Sequence, residues 1–565
     1  MTRRELLSRT AVAALWAKVG HASRPVRAPF QFVDVGAQAG LVHPIIYGGV
    51  ETKKFILETN GCGIAFFDYD HDGWLDIFVP GGSRIDGAPP GATNRLYKNN
   101  RDGTFTDVTM KAGLERVVWA SGVCIGDYNN DGHDDLFLSC WGQNILYRNN
   151  GDGTFTDVTK EAGLLHARPE WGAGCTFLDY NRDGFLDLFV STYLNFDFKT
   201  VPHPGATENC MWKGIAVNCG PRGLPTGRNF LYRNRGDGTF ADVSEAAGIA
   251  KVDQRYAMTA VAADFDDDGW PDLYVACDST PSILYKNNHD GTFTDIALEA
   301  GVAYNEDGRE QAGMGLAIAD VFGQGRLDIF KTHFADDTPI LYRNKGKGQF
   351  EDMTGRSGFG AFTRYIGWGA GFADFDNDGM PDLLFVNGSV YPEVEKYFAE
   401  NKYRNPRVLL RNLGNGAFDD LSDRSGPGVA DRHSSRGCAF GDFDNDGRVD
   451  VVIMNMNEPP SLLRNDARND NHWLALKLVG TKSNRSAIGA TAWLTAAGRR
   501  QRRDVLSQSS FYSQNDLRLH FGLGQAAIAD AVEIRWPSGL VQQLRGIQAD
   551  QIVTIREPAP LSPSR

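Results

Sequence analysis

Asp68-Tyr69-Asp70-His71-Asp72-Gly73-Trp74-Leu75-Asp76 places acidic residues at positions 1, 3, 5 and 9 of a nine-residue loop, with glycine at position 6. The frame returns from Asp127, Asp179, Asp264, Asp320, Asp374 and Asp442, making seven copies with the first. Around the second copy the chain reads as a strand at 122–126, the loop, and strands at 136–140, 145–148 and 154–158. Segments reading LYRN or LYKN, then a glycine turn and Phe-x-Asp, recur near Leu96, Leu146, Leu231, Leu284 and Leu341, with a weaker copy at Leu409. A four-stranded unit repeated in this way cannot bury its faces alone. Seven of them predict an all-β chain built on a seven-bladed β-propeller.

The seventh loop is followed by Leu462-Leu463-Arg464-Asn465 but by no Phe-x-Asp strand. Phe30-Gln31-Phe32-Val33-Asp34-Val35, with Ala39-Gly40-Leu41 after it, matches Thr154 to Val158 with Ala162-Gly163-Leu164. The N-terminal segment is therefore expected to supply the outer strand of the last blade and close the ring over residues 30–466, which leaves no open sheet edge.

The loops carry the chemistry. Four carboxylates each stand at Asp68, Asp70, Asp72 and Asp76, at Asp264, Asp266, Asp268 and Asp272, at Asp374, Asp376, Asp378 and Asp382, and at Asp442, Asp444, Asp446 and Asp450. Two loops carry asparagine at position 3: Asp127, Asn129, Asp131 and Asp135, and Asp179, Asn181, Asp183 and Asp187. Hard oxygen donors around a glycine turn, with no His or Cys at a ligand position, suit calcium. About six ions are expected, structural in role, each adding ~0.4 to 1.4 kcal/mol at extracellular-type affinities. The fifth loop, from Asp320 to Asp328, has Phe322 and Gln324 at ligand positions and is expected to be empty or weak. The competing reading of any one loop is a polar Asx-type turn without metal.

The 565 residues carry a net charge of -13, with 71 acidic side chains, which argues against a nucleic-acid surface built on clustered Lys and Arg. Arg3-Arg4 before the short apolar stretch from Thr10 to Trp16 reads as a twin-arginine export signal over 1–22, with an amphipathic leader as the alternative, then a linker at 23–29. A periplasmic or extracellular location follows from the signal. No other stretch approaches the length of a membrane helix. Cys62, Cys124, Cys140, Cys175, Cys277 and Cys438 fall at equivalent strand positions and read as core. Cys210 and Cys219 share a Gly- and Pro-rich insertion, 209–227, and are expected to form a disulfide in an oxidising compartment, two loop thiols being the alternative.

After Asn465 the Asp loops stop. Strand-like runs at 472–479, 490–495, 500–506, 517–521, 531–536, 541–544 and 552–555 predict a small antiparallel β-sandwich over 467–557, with a tail at 558–565. His472-Trp473-Leu474, Ser483-Asn484-Arg485 with Ile488-Gly489-Ala490, Tyr512-Ser513-Gln514, His520-Phe521-Gly522-Leu523-Gly524 and Trp536-Pro537-Ser538-Gly539 resemble the ASPIC and UnbV domain. The preceding repeats resemble the FG-GAP or VCBS repeats that accompany it in cartilage acidic protein-like chains, here a bacterial member. Ser486, at a place usually acidic, and Ser389, in place of an expected His, depart from that pattern. The resemblance implies extracellular calcium binding and names no reaction.

Two functions compete. One is a ligand-binding or adhesion module for a glycan, a peptide or a small metabolite. The other is an enzyme, a lyase, cyclase or hydrolase of secondary metabolism, with its site in the central funnel; no nucleophile, P-loop or dinucleotide motif supports it. Residues at the ends of the inner strands should ring one end of the channel: Glu58, Asn60, Trp119, Trp171, Tyr193, Tyr256, Asp278, His333, Trp368, Arg436 and Asn455. The competing reading is loop decoration with Trp packed between blades.

Overall fold

The Asp loops turn the chain between the first and second strands of four-stranded antiparallel sheets. The computed structural model describes residues 28–559, so the export signal expected at 1–22 lies outside the described residues. In the second repeat the strands are Ala120–Gly126, Asp135–Gly142, Ile145–Asn149 and Phe155–Asp157. Five such sheets stand alone in the repeat region. Two more are joined into one eight-stranded sheet through Glu170 opposite Gly142 and Trp171 opposite Trp141. Each innermost strand packs against the next in chain order, and Ser435–Gly441 of the last packs against Ala65–Phe67 of the first.

The last sheet takes its outer strand from the N-terminal segment: Phe32–Asp34 pairs antiparallel with Ser461–Asn465, Phe32 opposite Asn465 and Asp34 opposite Leu463. Phe30 and Phe32 are fully buried, their rings 5.7 and 5.1 Å from that of Phe375 in the neighbouring sheet.

One residue explains the repeated RN and KN dipeptides. The asparagine ending each third strand donates its backbone N–H to the position-9 aspartate of its own loop, as Asn149 does to Asp135 at 2.8 Å. Its side-chain amide donates to a carbonyl in the preceding sheet: Asn149 to Tyr69, Asn234 to Tyr128, Asn287 to Tyr180, Asn344 to Phe265, Asn412 to Val321 and Asn465 to Phe375. Asn99 donates to the Phe443 carbonyl of the last sheet and so completes the circle.

The C-terminal residues form a three-stranded and a four-stranded sheet packed face to face. One pairing departs from the antiparallel expectation, because Gln551–Arg556 runs parallel to His472–Val479. The chain returns to that sheet only after crossing the other one, and a long crossover is what a parallel pair requires. Leu474, Phe521, Val532, Ile534 and Trp536 make a core continuous with Phe177, Leu186 and Leu188 of the third sheet. The two parts therefore share buried surface.

The central channel is not an open funnel. The segment Ser507 to Asp516, between the C-terminal strands Arg499–Asp504 and Leu519–Gly524, enters it and bonds to the axial edges of the inner strands. Val123 N–H donates to the Tyr512 carbonyl (3.0 Å), and Leu316 and Ser510 exchange both backbone bonds (2.7 Å each). Gln508 Oε1 accepts from Cys175 N–H (3.0 Å), Gln514 Oε1 from Ile125 N–H (3.2 Å) and Asn515 Oδ1 from Phe440 N–H (3.1 Å). Gly63 and Gly437 make room for the segment. A Cβ at Gly63 would lie 1.8 Å from the Tyr512 carbonyl oxygen, and one at Gly437 2.5 Å from Ser513 Oγ.

A chain beginning at Gly36 loses the N-terminal strand and two buried Phe side chains, each worth about 3 to 5 kcal/mol. Its melting temperature is expected to fall by more than about 10 °C relative to a chain beginning at Ala28. Equal melting of the two, followed by circular dichroism, refutes the closure as a stabilising contact.

Candidate metal loops and the axial pocket

Position 1 of each loop is a backbone clamp. Asp68 accepts from Asp72 N–H (2.9 Å) and Gly73 N–H (3.1 Å), and Asp374 accepts from Asp378 N–H (2.9 Å) and Gly379 N–H (2.7 Å). Positions 1, 3 and 9 bring carboxylate oxygens within 4.8 Å of one another in four loops: Asp68, Asp70 and Asp76; Asp264, Asp266 and Asp272; Asp374, Asp376 and Asp382; Asp442, Asp444 and Asp450. These groups could hold a metal ion. At position 5, Asp72, Asp268, Asp378 and Asp446 turn one oxygen to the position-7 N–H. In the loops with Asn129 and Asn181, the amide donates to Asp131 or Asp183 (2.9 Å each), and the carboxylates of these two loops form no such group among the described residues.

The donors fit a hard cation. They are all oxygens, and a buried oxygen at position 3 of three loops, Oδ1 of Asp70, Asp376 and Asp444, has no hydrogen-bond partner. Burial raises the carboxyl of Asp76 to about 8, and burial with the adjacent Asp378 and Asp376 raises that of Asp374 to about 8. Burial likewise brings Asp127, Asp179 and Asp442 to about 7. Such clusters want positive charge. Lys98 pairs with Asp70, Lys286 with Asp266, and Arg411 with Asp376 at 2.8 Å, each from the residue preceding the asparagine of its sheet's third strand.

The fifth loop keeps the clamp and loses the ligands. Asp320 accepts from Gln324 and Gly325 N–H, and Asp328 accepts from Asn344 N–H at 2.8 Å. Phe322 stands at position 3, and Arg343 stacks over its ring at 4.8 Å. Aspartates 1 and 9 thus bond the backbone in the fifth loop as in the others, and a carboxylate at position 3 is what separates the four loops whose groups could hold a metal ion.

The C-terminal unit covers the loop end of the ring. Arg535 pairs with Asp264 at 2.7 Å, Arg502 with Asp267 at 2.6 Å and Lys477 with Asp68 at 3.5 Å. Ser486, the departure from an acidic residue, accepts from Asp127 N–H (2.9 Å) and donates to Asp134 (2.8 Å).

The other end of the ring keeps a cavity of about 320 Å³. Of the ligand candidates, Asn60, Tyr193, Asp278 and Trp368 line it. Tyr193 donates to Asp278 Oδ2 at 2.6 Å, and burial raises the Asp278 carboxyl. The remaining candidates do not line it. Glu58 is a buried clamp for Gly49, Lys54 and Phe55 N–H, and Arg436 donates to the Thr59, Ser435 and Ser389 carbonyls. Asn455 bonds to Pro459, Ser461 and Ser435, and Trp171 donates to Ser121. Tyr256 donates to the Leu224 carbonyl, tying down the insertion, and Trp119 packs edge-on to Tyr47. His333 is buried, which together with nearby Lys331 depresses its basicity. Unexpected wall residues are Asn218, Arg222, Asp337 and Tyr391. The insertion, closed by the Cys210–Cys219 disulfide, supplies the first two; its paired cysteines and its Gly- and Pro-rich composition marked it in the sequence.

The FG-GAP-like repeat model matches residues 68–138, 127–190, 219–275, 264–331, 320–385 and 397–453, more than half of the chain. The chain belongs to the FG-GAP-like repeat family. The ASPIC and UnbV model matches residues 480–561. Human cartilage acidic protein 1 is 28% identical over 315 residues, 54% of this chain and 44% of that protein. The mouse protein is 27% identical over 334 residues, 57% and 48%. The chain thus spans about half the length of the curated relatives it matches. Among solved structures, an Agrocybe aegerita lectin that recognises non-reducing terminal N-acetylglucosamine aligns at a TM-score of 0.37 and 16% identity, over 69% of this chain and 88% of that one. Trypanosoma rangeli sialidase in complex with sialic acid aligns at 0.35 and 10%, over 66% and 56%. Neither alignment is close enough to carry a ligand across.

Two outcomes are expected. In chelator, carboxyls raised in the folded state bind more protons there than in the unfolded chain. Stability should therefore be fullest below about pH 4 as far as these groups are concerned, and fall as pH rises through 7 to 8; a saturating divalent cation should flatten that slope in melting curves. Asp376→Asn should lower the bound-metal stoichiometry by one, measured by equilibrium dialysis, while Phe322→Ala leaves it unchanged.

Proposed function

We propose that this is an exported propeller, loaded with structural calcium, that binds a ligand at the mouth of its channel opposite the C-terminal unit. The observation carrying the reading is the cavity where Tyr193, Asp278, Asn60 and Trp368 converge. With the loop end covered and the channel filled, this mouth is where the inner-strand ends still face open space. Concave sites with an apolar floor and a few convergent polar groups are the usual form of a small-ligand site. Calcium is the favoured ion because every donor is oxygen and the loop spacing suits its high coordination number. The six loops other than the fifth, including those with Asn129 and Asn181, are its expected sites. The Cys210–Cys219 bond suits an oxidising compartment, in keeping with the Arg3-Arg4 signal. Among the described residues no helix is long and apolar enough to cross a membrane.

A glycan, a peptide or a small metabolite fits the mouth. A second reading, an enzyme at the same place, rests on Asp278, whose raised carboxyl bonded to Tyr193 could exchange a proton with a bound substrate.

Calcium-loaded protein should be screened against a glycan array and a metabolite library, and the hits repeated with Asp278→Asn and Tyr193→Phe. Hits are expected to weaken about tenfold or more in both variants while melting shifts by less than about 2 °C. Hits that both variants retain would refute the site. Turnover of a hit by the parent protein, lost in Asp278→Asn, would select the enzyme.

A further inference from the structure

Two carboxylates on the pocket wall are fixed in direction without being neutralised. Asp278 accepts from the hydroxyls of Tyr193 (2.6 Å) and Ser279 (2.8 Å), while Asp337 accepts from Gln311 Nε2 (3.2 Å) and Ala312 N–H (3.1 Å). All four donors are neutral, and among the described residues no Lys, Arg or His lies within ion-pair distance of either carboxylate. Among the described residues Arg222 is the one cation lining the cavity; it faces Glu310 at 3.6 Å and favours the charged form of Asp278 only from beyond ion-pair distance.

The cavity also holds donors without acceptors. Asn60 and Asn218 line it at 3% and 2% exposure, and the Nδ2 of each has no hydrogen-bond partner in the protein. A buried amide left in that state costs about 1 to 3 kcal/mol unless something bonds it. The floor is apolar, with Met258, Met314 and Trp368. Trp368 is no free stacking platform: its indole N–H is taken by the Gly388 carbonyl (2.8 Å), and Arg436 covers its ring at 4.2 Å.

We infer that this pocket takes a small organic cation, an ammonium group on a compact frame that also carries a hydroxyl or carbonyl oxygen. The inference rests on the reading of the mouth as a binding site and names the ligand class. The ammonium group lies against Asp278 and Asp337, the frame against Met258 and Met314, and the oxygen within reach of the Asn60 and Asn218 amides. Anions are repelled by the two carboxylates. A neutral ligand leaves their charge uncompensated in a half-buried site, which is unfavourable by comparison with pairing them. Burial already disfavours the charged form of Asp278, and an ammonium partner relieves that.

Full-length protein in calcium should be titrated calorimetrically with choline, ethanolamine and 3,3-dimethylbutan-1-ol, the last being the uncharged shape match of choline. At least one cation is expected to bind about tenfold or more tightly than the alcohol, and Asp278→Asn and Asp337→Asn should each weaken it by a similar factor. Absence of binding by both cations overturns the cation class, as does equal binding of the alcohol. Loss of the alcohol in Asp278→Asn would then leave the site reading standing. Cation binding that survives in both variants places the ligand elsewhere and overturns class and site together.

Discussion

The asparagine at the end of each third strand ties every level of this structure together. Its backbone N–H fixes the position-9 aspartate, its amide crosses to the preceding sheet, and its Oδ1 accepts from the residue two places on, as Asn149 does from Gly151. A buried primary amide is stabilising only when its donors and acceptor are matched, and here all are matched within one turn and one neighbour. The same group that orients the loop therefore sets the spacing between sheets. A loop that shifts must either break a bond to the next sheet or move it.

A closed ring creates a second demand. Each innermost strand presents one edge to the axis, where backbone groups are buried and need partners. The segment from Ser507 to Asp516 supplies them to several sheets at once, using both its main chain and the side chains of Gln508, Gln514 and Asn515. The C-terminal unit is thus part of the propeller's interior. It enters from the loop end, where Arg502, Arg535 and Lys477 meet the acidic loops, and the cavity lined by Tyr193 and Asp278 lies at the opposite mouth. The place of that cavity follows from how the channel edge is satisfied.

Repeat spacing made the ring readable, because each four-stranded unit writes its own loop, turn and Phe-x-Asp strand into adjacent residues. The N-terminal strand was readable for the same reason, since Phe30 to Val35 carries the signature missing after Asn465. The filling of the channel was not. Tyr512-Ser513-Gln514 lies far in sequence from Ile64, Val123 and Cys175, and no local periodicity announces a contact of that separation. Arg436 and Asn455 sit near the ends of strands and Glu58 in a short helical turn well before one, yet their polar atoms are consumed by neighbouring backbone, which depends on side-chain direction and not on position in the repeat. Asn218 and Asp337 were missed because one lies in an insertion and the other beyond a strand end.

The fifth loop separates fold from ion. It retains Asp320 and Asp328 with their clamp bonds, and its sheet has the same strands as its neighbours. What it lacks is charge at positions 3 and 5, and Arg343 accordingly stacks on Phe322 where Lys98 meets Asp70 and Arg411 meets Asp376. In three of the four acidic loops the basic residue before the strand's asparagine pairs with its own loop, through Lys98, Lys286 and Arg411, whereas Arg464 beside the seventh loop pairs with Asp466. Such pairing offsets only part of the charge, and the carboxyls of Asp76 and Asp374 remain raised. An ion bound there would relieve that repulsion. It would therefore add to the stability of a sheet whose geometry is set by hydrogen bonds that one loop of the same chain keeps without the metal ligands.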